Sequence, residues 1–196
     1  FPILNENSIQ GVFFPPARPI LENHVLDINK IHFLLAAVKD INHVITDIYM
    51  LLDEYREKYN LKSNAYYFNK LAVSFSYDSM EVIFVKRLLQ KELEKDLRKV
   101  IINKLFNKYV TNDEKSFSDE LYMNEDQLKV MINNNMHVGG HGFNHYWLET
   151  LTAHEQEIQI NLTRKFLKDL GMKTNDWVMA YPFGSYNQSL IEILKR

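Results

Sequence analysis

In the run "MHVGGHGFNHYW", residues 136 to 147, His141 and His145 stand four positions apart. On one helical turn, imidazoles at that spacing share a face and can bind one metal ion. Neutral ring nitrogens suit zinc and its first-row neighbours. Gly139 and Gly140 come just before the pair. Glycine there gives the backbone freedom to turn sharply out of a strand. The residue after His141 is Gly142, where an HExxH protease would carry its glutamate base, so the motif is not of that kind. A third ligand must come from elsewhere. A carboxylate would complete a set of two histidines and one carboxylate, leaving positions open for water and substrate. His137 repeats the interval but precedes the glycines, and it reads as a strand surface residue. His24, His32, His43 and His154 have no partner at useful spacing and read as structural or exposed.

The surrounding elements must place this pair. "MHVGG" reads as a short strand that ends in the glycine turn. Thr152 with Glu155 has capping-box spacing and opens a helix through about Leu170, with Ile158, Leu162, Phe166 and Leu170 on one face. Gly171 sits where a helix terminator belongs. "DWVMAYP" is a second strand, stopped by Pro182 and followed by "FGSYN" and a final helix. Near the start, "GVFFP" at 11 to 15 fits a buried strand, and the three prolines of "PPARP" rule out helix after it. Strand, helix, strand, helix is an α/β pattern with parallel strands, whose C-terminal ends are where active sites collect.

The middle is different. Residues from about 29 to 134 read as helices, with Ile31, Leu34, Leu35 and Val38 as one stripe and a break near Asp40–Asn42. Asp78 and Glu81 have capping-box spacing before "VIFVKRLLQKELEKDLRKVIINKLFNKYV", which carries Ile83, Leu88, the Leu89–Leu93–Leu97 row and Ile101. Asn124 with Gln127 repeats the signature before Leu128, Met131 and Ile132. This stretch reads as an insertion or helical cap within one domain spanning 1 to 196.

Composition sets the outer limits. A hydrophobic fraction of 46% over 196 residues supplies a real core. Lys plus Arg total 23 against 25 Asp plus Glu, which gives no electrostatic footprint for nucleic acid or anionic membrane. With no cysteine, a disulfide framework and a thiolate zinc site are both excluded. No apolar run reaches the roughly 18 residues that span a bilayer. "NLT" at 161 to 163 matches a glycosylation sequon but falls inside the expected helix.

Taken in order, "HVGGHGFNH", "LETLTAHEQEIQINLTRKFL" and "VMAYPFGSYN" resemble the polysaccharide deacetylase family, the NodB-homology or carbohydrate esterase family 4 domain. "GVFFP" looks like its early strand. The resemblance covers residues 1 to about 20 and 125 to 196. It implies a distorted (β/α) barrel, here partial and carrying a large helical insertion. It implies a divalent metal, often zinc, held by one Asp and two His, with water activated there attacking the acetamide of an N-acetylated sugar. By that resemblance His141 and His145 are the histidine ligands. Tyr181, Pro182, Phe183 and Gly184 match the motif lining the sugar groove, and the Phe183 backbone N–H would help hold the oxyanion.

The sequence departs from the family at several points. Gly142 stands where Ser or Thr usually follows the first histidine, and Ala180 stands where many members carry an arginine that orients the catalytic aspartate. The resemblance places the family's Thr-Phe-Asp-Asp-Gly motif before Phe1 and its acid histidine past Arg196, so no catalytic acid or base is expected among these residues. Asp78 in "FSYDS" looks similar but precedes a helix, and reads as an N-cap. The alternative function is a non-catalytic carbohydrate-binding domain on the same scaffold, with Tyr146, Trp147, Tyr181 and Phe183 stacking on sugar rings. A third is a helical interaction module built from 29 to 134.

Overall fold

The computed structural model describes residues 1–73 and 77–196. Residues 75 and 76 of "FSYDS" lie outside the described residues. In chain order the elements are α1 (Pro2–Glu6), β1 (Val12–Phe13), α2 (Ala17–Glu22), α3 (Asp27–Ala37), α4 (Ile41–Tyr55), α5 (Asn64–Leu71), α6 (Met80–Arg87), α7 (Lys95–Tyr109), α8 (Glu114–Leu121), α9 (Glu125–Asn133), β2 (His137–Val138), α10 (Ala153–Asp169) and α11 (Gln188–Leu194). The described residues are thus mostly helical, with a small parallel sheet. They form two compact units: Phe1–His24 with Lys115–Arg196, and Val25–Glu114.

In the first unit β1 and β2 pair in parallel, Val12 opposite His137 and Phe13 opposite Val138. The expected strand "DWVMAYP" joins only through a parallel bridge between Gly140 and Met179. Gly140 N donates to Val178 O at 2.9 Å, and Ala180 N to Gly140 O at 3.0 Å. Two capping boxes form as the spacing predicts: Thr152 with Glu155 on α10, and Asn124 with Gln127 on α9. Gly171 closes α10 at a φ of 87°, with its N–H on Lys168 O and that of Met172 on Leu167 O, the paired bonds of a Schellman stop.

Four expectations for this unit are corrected. β1 is not a buried strand, because Val12 is exposed and Phe13 only half-buried at the edge of the two-stranded sheet. The prolines of "PPARP" do not exclude helix, because α2 starts directly after Pro16 and contains Pro19. A first-turn proline loses an N–H that has no helical partner anyway. On α10, Ile158 and Leu162 are exposed, and the buried face instead runs through Gln156, Gln159, Ile160, Thr163, Phe166 and Leu167. Polar side chains lie on that face because they have partners: Gln156 donates to Leu148 O, and the Thr163 hydroxyl to Gln159 O. His137 is not a surface residue, since its Nε2 is buried.

The second unit is a helical bundle around Ile31, Leu34, Ile48, Phe84, Leu97 and Ile101, with Leu35 and Val38 partly buried beside them as the sequence stripe predicts. Asp40 caps α4. Asp78 does not cap α6: the Ser79 side chain does, accepting from Val82 N, and Asp78 pairs with Lys86 at 2.6 Å. Both residue types cap helices, so spacing alone could not choose between them. The long apolar stretch after α6 is also not one helix. A wide π turn at Leu88–Glu92 ends in extended Leu93, and α7 begins at Lys95. Leu89, Leu93 and Leu97 are buried nonetheless.

Lys30 is buried in this unit with a fully covered side chain. Its Nζ donates to Asn103 Oδ1 at 2.7 Å and Glu114 Oε2 at 2.8 Å. Glu114 Oε1 accepts from Val25 N at 2.9 Å. One carboxylate therefore ties the first and last residues of the unit together directly and holds the buried ammonium with its other oxygen.

Asp47 on α4 gives the bundle a pH dependence. Burial alone would raise its pKa, but hydrogen bonds from Lys108 at 2.6 Å and Tyr109 at 2.5 Å outweigh that and hold it below the ordinary 3.8. A carboxylate with a depressed folded pKa contributes stability that is fully present above its unfolded value and lost as pH falls through the folded value. Melting temperature should therefore drop as pH is lowered below about 4, and Asp47→Asn should flatten that slope. An equal slope in wild type and variant would rule out this pair as the source.

Candidate metal centre

The route from β2 to the histidines runs through Gly139 and Gly140. Neither has a positive φ, so the expected need for backbone freedom is not the reason for them. The reason is space. A Cβ on Gly139 would lie 2.6 Å from Phe14 Cε1 and 2.7 Å from Val178 O, and one on Gly140 would lie 2.3 Å from Trp177 Cζ3. Gly139→Ala, which meets backbone as well as a ring, should cost about 1–3 kcal/mol as overpacking does. A thermal melt at the wild-type temperature would contradict this.

The left-handed positions come next: Gly142 at φ 71° and His145 at φ 57°. The first favours glycine, because a side chain is strained there. Together they show that residues 141 to 145 are an irregular loop and not the helical turn that the spacing suggests. The two rings still meet, with centroids 4.7 Å apart and planes at 73°. A non-glycine residue at positive φ is uncommon and persists where its surroundings hold it.

Each histidine is held by its surroundings. His141 Nδ1 lies 2.8 Å from Ala180 O. A carbonyl can only accept, so Nδ1 is the donating nitrogen, and Nε2 is the one left to face a ligand. Ala180 thus acts through its backbone carbonyl. Burial, then the nearness of His141, pushes the His145 pKa down to about 4. His145 is therefore neutral at ordinary pH, and its Nδ1 is buried with no hydrogen-bond partner among the described residues.

The "YPFG" turn packs on the pair. Phe183, at φ 57°, sets its ring edge-on to His145 at 4.8 Å and 80°. Trp147 stacks flat on Phe183 at 4.3 Å and 1°. Pro182 is buried, and its Cγ lies 3.5 Å from where a Cβ on Gly142 would sit. Gly184 takes φ 66°. Tyr181 packs with Leu148, Ile160 and Leu190 and stacks on Tyr186 at 5.2 Å. The fold thus brings His141, His145, Pro182 and Phe183 together and adds Trp147. His32, His43 and His154 are exposed and His24 is half-buried. Sequence reading missed the Ala180 carbonyl, and it missed Gln159, Asn144 and Arg18, which hold the loop. The one available signal was a glutamine on the buried face of α10.

Two adjoining imidazoles, one kept neutral by burial and the other with a ring nitrogen oriented by a backbone carbonyl, are the donor chemistry that first-row divalent ions take. The buried, unbonded Nδ1 of His145 fits the same use. Among the described residues no group of three or more His, Cys, Asp or Glu is placed to hold an ion, so the pair fits as part of a larger ligand set.

The polysaccharide deacetylase family model matches residues 86–196, more than half of the chain, and the protein belongs to that family. Among solved structures, the Streptococcus pyogenes deacetylase PplD in complex with acetate is similar at 22% identity and a TM-score of 0.37, over 49% of this chain and 45% of that one. The chain therefore spans less than half the length of that relative. No curated protein matches it. Among the described residues no helix is long and apolar enough to cross a membrane.

Proposed function

We propose that this chain is part of a metal-dependent carbohydrate deacetylase that hydrolyses N-acetyl groups of a polysaccharide or glycan precursor. The whole chain is then one partial NodB-type (β/α) barrel domain with a helical insertion at about 29 to 134. The observation that carries the reading is the histidine pair: Ala180 O orients His141, and His145 is held neutral and packs edge-on against Phe183. His141 and His145 would hold a divalent ion, zinc foremost, together with a carboxylate from outside these residues. When bound, such an ion supplies Lewis-acid activation of water and of the amide carbonyl.

The chain's own residues do the rest. His145, with its pKa pushed down to about 4, keeps its lone pair at neutral pH, so a proton does not compete for it there. Phe183, backed by the stacked Trp147 ring, packs edge-on against His145 and limits water on that side. Tyr181, Pro182, Phe183 and Gly184 would line the sugar groove, and the left-handed turn at Phe183 would aim its N–H at the oxyanion.

Acetate release from an N-acetylglucosamine oligomer by the full-length protein tests this, with an O-acetylated sugar alongside. Metal-dependent release that stops in the His145→Ala variant is expected. Saturable sugar binding without release, even with metal supplied, would instead favour a non-catalytic binding domain.

A further inference from the structure

The loop between the histidines has no helical hydrogen bonds to fix the distance between the rings, so something outside it must. The peptide joining Phe143 to Asn144, midway between the two histidines, is held at both ends. Its oxygen accepts from Arg18 N at 3.1 Å, and its N–H donates to Gln159 Oε1 at 2.9 Å. The preceding carbonyl, of Gly142, accepts from Ala17 N at 3.4 Å. The Arg18 guanidinium also reaches Asn144 Oδ1 at 2.9 Å. Gln159 is 6% exposed on the buried face of α10, where an apolar side chain would avoid the cost of burying an amide. Its oxygen has a reason to be there: without it the Asn144 N–H would lose its acceptor.

We propose that Gln159, helped by the Arg18 side chain, is a positioning residue that sets the separation and orientation of His141 and His145. The proposal rests on the metal-site reading above for its purpose but not for its geometry. Outer partners of metal ligands typically change metal affinity by about 10–100-fold when removed.

The test uses imidazole ¹⁵N spectra of the whole chain, with and without zinc, for wild type, Gln159→Met, Gln159→Glu and Arg18→Met. Methionine keeps the volume and loses the acceptor, while glutamate keeps an acceptor oxygen. Gln159→Met should move and broaden the His141 and His145 signals in the metal-free chain and weaken zinc binding by about 10–100-fold. Gln159→Glu should restore both, and Arg18→Met should shift the same signals by less. Wild-type imidazole signals in Gln159→Met would overturn the proposal, whatever happens to its melting temperature. Should Gln159→Met not fold, unchanged imidazole signals in Arg18→Met would overturn it instead. If wild type takes up no zinc at either imidazole, the metal reading fails, and the metal-free spectra still decide whether Gln159 positions the pair.

Discussion

Replacing His141 with alanine in the full-length protein is expected to abolish acetate release and to weaken metal binding by well over the roughly 10–100-fold seen when an outer partner of a metal ligand is removed. The variant loses a donor nitrogen and also the group that Ala180 O orients. It should leave the fold largely intact, because His141 is only half-buried and the cores of both units lie elsewhere. A deacetylation rate near wild type, from a variant with a normal melt, would show that the pair is not where the chemistry occurs. Alanine at His145 should do the same to activity. It should cost more stability, because His145 packs edge-on to Phe183.

The second large effect concerns the helical unit. Glu114→Ala removes the carboxylate that neutralises the covered Lys30 ammonium and also the acceptor for Val25 N. Removing one partner of a buried pair typically costs about 3–5 kcal/mol, because the other charge is left uncompensated. Lys30→Met should cost less. It removes the buried charge and leaves Glu114, whose side chain is 29% exposed, within reach of water. Urea unfolding of the two variants measures the difference. A Lys30→Met variant as unstable as Glu114→Ala would show that packing, not charge, dominates at this site.

Local signals were legible in the sequence. The capping boxes at Thr152 and Asn124 and the Gly171 stop depend on residues within one turn of each other, and all three form. "GVFFP" and "MHVGG" were each legible as strands, and parallel strands were expected, but the pairing of these two with each other was not read. What failed needed three dimensions. A four-residue histidine spacing fits a helix, but it also fits a loop bent by two left-handed residues, and the loop is what forms. Gly139 and Gly140 read as flexible because the Phe14 and Trp177 rings that crowd them are remote in sequence. A row of Ile158 and Leu162 reads as a core face until the buried glutamines beside it acquire partners. The Ala180 carbonyl carries no sequence signal, since every residue has one.

The most direct test of the histidine pair is a cobalt titration of this chain, following visible absorption together with the paramagnetic effect on individual imidazole signals. The account predicts that His141 and His145 respond together, while His24, His32, His43 and His154 do not, and that His141→Ala removes the response. Saturable cobalt binding that leaves both imidazoles unaffected, or that survives in His141→Ala, would contradict it.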